Sequence, residues 1–216
     1  IKVKKTCLDL FECIEIIQKL KKVHLSAYTT SEYIKDCGTP DRFTRVSKDL
    51  LKKEIYSTSY IKKQKILFLD RDGTLIKNEK NIYITSTDQV KLNNSIFDIY
   101  KKYTSMNYLP IVVTNQPQIA QGKLNLEGLD KIHCKIQDLL AKEDMIKIFK
   151  FLVCPHHPHH GFEKEITELK FVCNCRKPSK GLFDLIERDM EIDKSKSLML
   201  GDTKSDRDFA LNCGIK

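Results

Sequence analysis

The sequence predicts an α/β fold, a parallel sheet with helices on both faces, and three observations predict it. Beyond residue 64, short apolar runs alternate with segments of helical spacing, the pattern of β-α-β units. The runs end on polar residues capable of chemistry: Asp70 and Asp72, then Thr114-Asn115-Gln116, then Cys154 onward, then Gly201-Asp202. A Rossmann-like open sheet binds its ligands beyond these carboxyl ends of its strands. The 216 residues exceed the usual size of one domain, so one full domain plus part of another fits best.

The elements follow in order. Residues 7–21 place Leu10, Ile14 and Ile17 on one helical face. HLSAYTT, residues 24–30, reads as a strand. Thr39-Pro40-Asp41 is a helix start, with a threonine cap, proline at the first position and an acid in the first turn. The helix runs on to Ile55. A polar connector marks a boundary, dividing the chain into 1–56, a linker at 57–64 and a main domain at 65–216. In that domain ILFLD, YLPIVVTN, IFKFLVC and SLMLGD are the strands. SIFDIYKKYTSM, LEGLDKIHCKIQDLLAK and KGLFDLIERDMEI are helices between them.

Composition excludes some classes. Hydrophobic residues make up 41%, enough for a core, yet no apolar run approaches the ~20 residues of a membrane span. No secretory segment opens the chain, which points to a cytoplasmic protein. The net charge of +9 favours an anionic partner, but lysine pairs are scattered at 4–5, 21–22, 52–53 and 62–63 without a basic block. They read as surface lysines, so no nucleic acid is expected. Cys7, Cys13, Cys37 and Cys134 sit singly in periodic segments and read as buried thiols, as does Cys213.

Two constellations carry chemistry. Asp70 and Asp72 end a buried strand, where carboxylates are costly unless paired or bound to a metal. Asp202 and Asp206 lie four apart at the start of a helix, and Arg176-Lys177 adds cations. Carboxylates, the Thr114 hydroxyl and these cations suit a hard cation together with a phosphate. In the second constellation, Cys154 and His156 are two apart, as are Cys173 and Cys175. Alternate residues of an extended chain point the same way, so three thiolates and an imidazole make a closed, structural Zn²⁺ site. It would staple a loop too long to stand unsupported. His157, His159 and His160 read as solvated loop residues.

DRDGTLI, VVTNQ, CRKP and GDTKSD, in that order, resemble the four motifs of the haloacid dehalogenase (HAD) superfamily over about residues 64–216. Within its subfamily IIIA the chain resembles the D,D-heptose 1,7-bisphosphate phosphatases, whose zinc loop it shares, and the related histidinol-phosphate phosphatases. The resemblance implies that Asp70 is a nucleophile forming an aspartyl-phosphate. Asp72 is then the acid that protonates the leaving oxygen and the base that activates water. It implies Mg²⁺ on Asp70, the Asp72 carbonyl and Asp202, with Asp206 as ligand or support. Thr114, the Asn115 amide and Lys177 would hold the phosphoryl oxygens, with Gln116 and Arg176 binding substrate. The segment from Gly73 to Tyr108 is too short for an inserted cap, which implies the capless branch and an open site. Where the heptose phosphatases commonly read TNQSGIARG, this chain reads TNQPQIAQG, so Pro117, Gln118 and Gln121 differ where distal substrate is recognised.

EYIKDCGTPDRFTRVSKDLL resembles the carboxyl end of sugar-phosphate nucleotidyltransferases, with Asp36 at their metal-binding aspartate. Their glycine-rich nucleotide loop is absent, so residues 1–56 read as a packing module without activity. The reading frame is expected to add a nucleotide-binding domain upstream and a strand beyond CGIK. Such a multifunctional enzyme would join consecutive steps of nucleotide-sugar biosynthesis, as a monomer or assembled through that domain. The expected function is a sugar-phosphate phosphatase releasing the C7 phosphate of heptose 1,7-bisphosphate. The alternatives are a histidinol-phosphate phosphatase, a polynucleotide 3′-phosphatase, and a non-enzymatic zinc-ribbon module, which would need none of Asp70, Asp72, Asp202 and Lys177.

Overall fold

The computed structural model describes residues 14, 16, 17, 19, 32–51, 59, 62–78 and 82–216. The chain divides into two compact units, Ile1–Thr30 and Ser31–Lys216. Of the first, residues 14, 16, 17 and 19 are described and are helical; the expected strand at 24–30 lies outside the described residues. In the second, α1 (Pro40–Leu51) begins at the proline, and Thr39 Oγ1 accepts from the Arg42 N–H at 3.3 Å. Residues 52–55 of the expected helix lie outside the described residues.

Four strands build the sheet: β1 (Ile66–Leu69), β2 (Leu109–Asn115), β3 (Lys150–Cys154) and β4 (Leu198–Leu200). All pairings are parallel and the order is β3-β2-β1-β4. The chain steps outward from β1 to β3 and then returns to the other side of β1. The sheet's switch point therefore lies between the carboxyl ends of β1 and β4.

Between the strands run α2 (Phe97–Ser105), α3 (Leu126–Lys142) and α4 (Gly181–Asp189), and α5 (Lys204–Cys213) follows β4. Side chains alternate along β1, so Leu67 and Leu69 face one core and Ile66 and Phe68 the other. The first core gathers Tyr100 of α2 with Leu129, Ile132, Ile136 and Leu140 of α3. The second packs Leu182, Phe183 and Ile186 of α4 and Phe209 and Ala210 of α5. Phe68 lies at its centre, with ring centroids 5.5 Å from Phe183 and 6.4 Å from Phe209. Covered on both faces, β1 is fully buried, which is why it reads as an unbroken apolar run.

Three expectations need correction. α4 ends at Asp189 rather than Ile192, because Met190 turns extended (φ −158°) and Ile192 pairs with Gln64. That switch buries Met190 and Ile192 in the second core. Asp202 is not on α5 but precedes its cap, Thr203. Cys37 and Cys134 are exposed thiols, whereas Cys213 is buried; Cys7 and Cys13 lie outside the described residues. Among the described residues, no helix is long and apolar enough to cross a membrane.

Candidate active site

A cleft of about 450 Å³ opens at the switch point. Asp70, Asp72, Thr114, Asn115, Arg176, Lys177 and Asp206 line it, together with Pro178, Thr203 and Ser205. Four segments distant in sequence thus converge. They converge because parallel strands all deliver their carboxyl ends to one edge.

Lys177 organises the floor. Its buried Nζ lies 2.6 Å from Asp70 Oδ1 and 2.5 Å from Asp206 Oδ1. The loop carrying it is fastened to β2 by Asn115. The Asn115 Nδ2 donates to the Lys177 carbonyl at 3.1 Å, and its Oδ1 accepts from the Lys177 N–H at 2.9 Å. Asp206 also accepts at Oδ2 from the Thr203 N–H (3.1 Å) and hydroxyl (2.6 Å), closing a capping box on α5. Burial pushes the Asp70 carboxyl up to about 6. The Lys177 charge opposes that rise, while Asp206 and Asp72 add to it.

One oxygen each of Asp70, Asp202 and Asp206 lie within 4.8 Å of one another. Three carboxylate oxygens at this spacing, two of them desolvated by burial, suit a small hard cation in donor chemistry and reach. Gly73 makes room for them. It has a left-handed backbone (φ +87°), and a Cβ there would overlap the Asp202 carboxylate.

Gln116 is buried behind the cleft rather than lining it. Its Nε2 donates to Asp72 Oδ2 and to Thr114 Oγ1, each at 2.8 Å. Arg176 reaches back from the rim, where its Nη1 donates to the His156 carbonyl at 3.3 Å. Sequence reasoning missed Thr203, Ser205 and Arg71. The Thr203-x-x-Asp206 capping pattern was readable, whereas Arg71 is hidden between two acids and gave no signal of its own.

Cys154, His156, Cys173 and Cys175 also converge. The Sγ atoms lie 3.3–3.5 Å apart, and His156 Nδ1 is 3.1 Å from Cys175 and 3.7 Å from Cys154. These spacings are far too long for disulfides. They are close to the ~3.5–3.8 Å edges of a tetrahedron with metal–sulfur bonds of about 2.3 Å, so the set could hold Zn²⁺. Burial pushes the Cys154 thiol up, a cost that a divalent cation would reverse.

Residues 65–216 match the polynucleotide kinase 3 phosphatase family. The chain belongs to this family of HAD-like phosphatases. Residues 1–64 lie outside the match. Two relatives named D-glycero-beta-D-manno-heptose-1,7-bisphosphate 7-phosphatase are similar to it. The Salmonella typhi protein is 33% identical over 152 residues, 69% of this chain and 77% of its own length. The Escherichia coli K12 protein is 34% identical over 153 residues, 69% and 76% respectively. The histidine biosynthesis bifunctional protein HisB of Legionella pneumophila is 29% identical over 152 residues, 70% of this chain and only 40% of HisB.

Among solved structures, the D,D-heptose 1,7-bisphosphate phosphatase of B. bronchiseptica, complexed with magnesium and phosphate, superposes with a TM-score of 0.59. It is 26% identical and covers 70% of this chain and 78% of its own. A HAD-like protein of Mesorhizobium loti superposes with a TM-score of 0.63 over 71% and 70% of the two chains. At 24% identity it shows a shared fold alone.

Proposed function

We propose that this phosphatase removes the C7 phosphate of D-glycero-D-manno-heptose 1,7-bisphosphate through an aspartyl-phosphate. The observation that carries the reading is the buried Asp70–Lys177–Asp206 cluster at the switch point, in a chain whose relatives include heptose bisphosphate phosphatases. Asp70 Oδ attacks phosphorus in line. Lys177 and the Thr114 hydroxyl hold the phosphoryl oxygens and offset the charge that builds on them. Asn115 fixes the Lys177 loop, so that the ammonium is in place before substrate arrives. Asp72 protonates the leaving oxygen and then takes a proton from the attacking water. Asp70, Asp202, Asp206 and the Asp72 carbonyl would hold Mg²⁺, which supplies a fixed charge against the phosphoryl oxygens. The magnesium in the B. bronchiseptica relative supports this assignment.

Arg176 reaches the cleft from the zinc-loop side and is assigned the distal phosphate. Cys154, His156, Cys173 and Cys175 hold a structural Zn²⁺, and Cys175 immediately precedes Arg176-Lys177, so the staple also fixes both cations. The domain starting near residue 65 is supported by where the family match begins. Residues 1–56 remain assigned as a nucleotidyltransferase-like segment, which suits a chain supplying a sugar 1-phosphate to a transferase.

The HisB relatives support a second substrate, histidinol phosphate. Specificity constants for heptose 1,7-bisphosphate, fructose 1,6-bisphosphate, histidinol phosphate and a 3′-phosphorylated oligonucleotide decide between them. Heptose 1,7-bisphosphate is expected to lead. A tenfold preference for any of the others, about 1.4 kcal/mol of transition-state binding, overturns the assignment. A second test addresses the cation. Gly73→Ala, which pushes Asp202 aside, is expected to raise the Mg²⁺ concentration for half-maximal turnover severalfold. An unchanged Mg²⁺ dependence would remove Asp202 from the ligand set.

A further inference from the structure

Arg71 lies between the two acids in sequence, yet its side chain turns inward and is 0% exposed. A guanidinium stays charged at every accessible pH, so its burial demands a matched partner. That partner is Asp72. Arg71 Nε donates to Asp72 Oδ1 at 2.9 Å and Nη2 donates to Oδ2 at 2.8 Å. A two-pronged grip fixes the plane of a carboxylate as well as its position. The third nitrogen, Nη1, has no protein partner among the described residues, so the directional bonds of the group all go to Asp72.

A second buried support closes on the same carboxylate. Gln116 Nε2 donates to Asp72 Oδ2, and Gln116 Oε1 in turn accepts from Gln118 Nε2. Both glutamines are buried. Asp72 itself is 21% exposed and lines the cleft. It therefore shows one face to the reaction, while three donors hold it from behind.

We propose that Arg71, assisted by Gln116 and Gln118, is a positioning residue that aims Asp72 at the leaving oxygen. The inference rests on the reading of Asp72 as the acid. In that step the Asp70–phosphorus bond forms, the phosphorus–oxygen bond to the sugar breaks, and the proton passes from Asp72 to the departing oxygen. A sugar alkoxide needs that proton. A nitrophenolate leaves as a stabilised anion and does not. Misaiming Asp72 therefore slows phosphoryl transfer to Asp70 from alkyl phosphates more than from aryl phosphates, whereas general damage to the site slows both alike.

The test compares wild type, Arg71→Met, Arg71→Lys, Gln116→Met and Asp72→Asn on heptose 1,7-bisphosphate and on p-nitrophenyl phosphate. Arg71→Met is expected to lose at least about tenfold more kcat/KM, which reports only the steps up to the aspartyl-phosphate, on the heptose ester than on the aryl ester. Arg71→Lys keeps the charge but not the fork, and should show the same selective loss. Gln116→Met should show it in smaller measure, and decides the matter if the Arg71 variants do not fold. Equal losses on both esters in a folded Arg71→Met, or in Gln116→Met alone, overturn the inference. If Asp72→Asn is selective while these variants are not, only the positioning role falls. If Asp72→Asn is itself unselective, the acid role falls and takes the positioning role with it.

Discussion

Asp70→Asn is expected to lower phosphate release by a factor on the order of 10³ or more, the scale on which loss of a covalent nucleophile acts. The amide has nearly the shape of the carboxylate but cannot attack phosphorus. The fold should survive. Removing one partner of a buried ion pair ordinarily costs about 3–5 kcal/mol, but Lys177 keeps Asp206 at 2.5 Å. The substitution also relieves the crowding by Asp206 and Asp72 that helps raise the Asp70 carboxyl. Phosphate release measured beside near-ultraviolet circular dichroism separates the two effects. Near-normal turnover in a natively folded variant would refute an aspartyl-phosphate route.

The second large effect is expected at the cluster of Cys154, His156, Cys173 and Cys175. Purified protein should carry about one zinc per chain, and Cys173→Ser should lower both zinc content and thermal stability. Structural zinc contributes on the order of 10 kcal/mol to small peptides. Even a third of that would lower the melting temperature of a chain this size by roughly 10 °C. The physical reason lies in the cluster. Cys173 lies 3.5 Å from Cys154 and 3.3 Å from Cys175, so without a cation the thiols crowd one another. Because Arg176 and Lys177 follow Cys175 directly, turnover should fall as well. Elemental analysis with no tightly bound metal, or a Cys173→Ser chain that keeps its melting temperature, would refute the staple.

Much of the fold was legible because its signals are local. ILFL stands out as a buried strand because both its faces are covered, and Leu126–Lys142 shows its helical stripe over its full length. The end of α4 was less legible, since Met190 and Ile192 are apolar in either a helix or an extended chain. The same holds for Cys134, where a thiol on a periodic helix suggests burial that the exposed face of α3 does not provide. Among the site residues, those at strand ends were readable, because the carboxyl edge of a parallel sheet announces where chemistry collects.

By itself the sequence determined the strand–helix alternation, the acids at the ends of β1 and β4, and the paired spacing of the zinc-type ligands. These depend on neighbours a few residues apart, and such neighbours leave periodic or motif-like traces. Only the tertiary structure decided that Lys177 bridges Asp70 and Asp206, that Asn115 ties down the Lys177 loop, and that Gln116 faces Asp72 instead of the cleft. Arg71 shows why. A charged residue between two acids reads as exposed, and only its burial against Asp72, with Gln116 closing from the next strand, turns it into a clamp. Side-chain direction in a tight loop is set by packing across the sheet, and such long-range contacts leave no periodic trace in the chain.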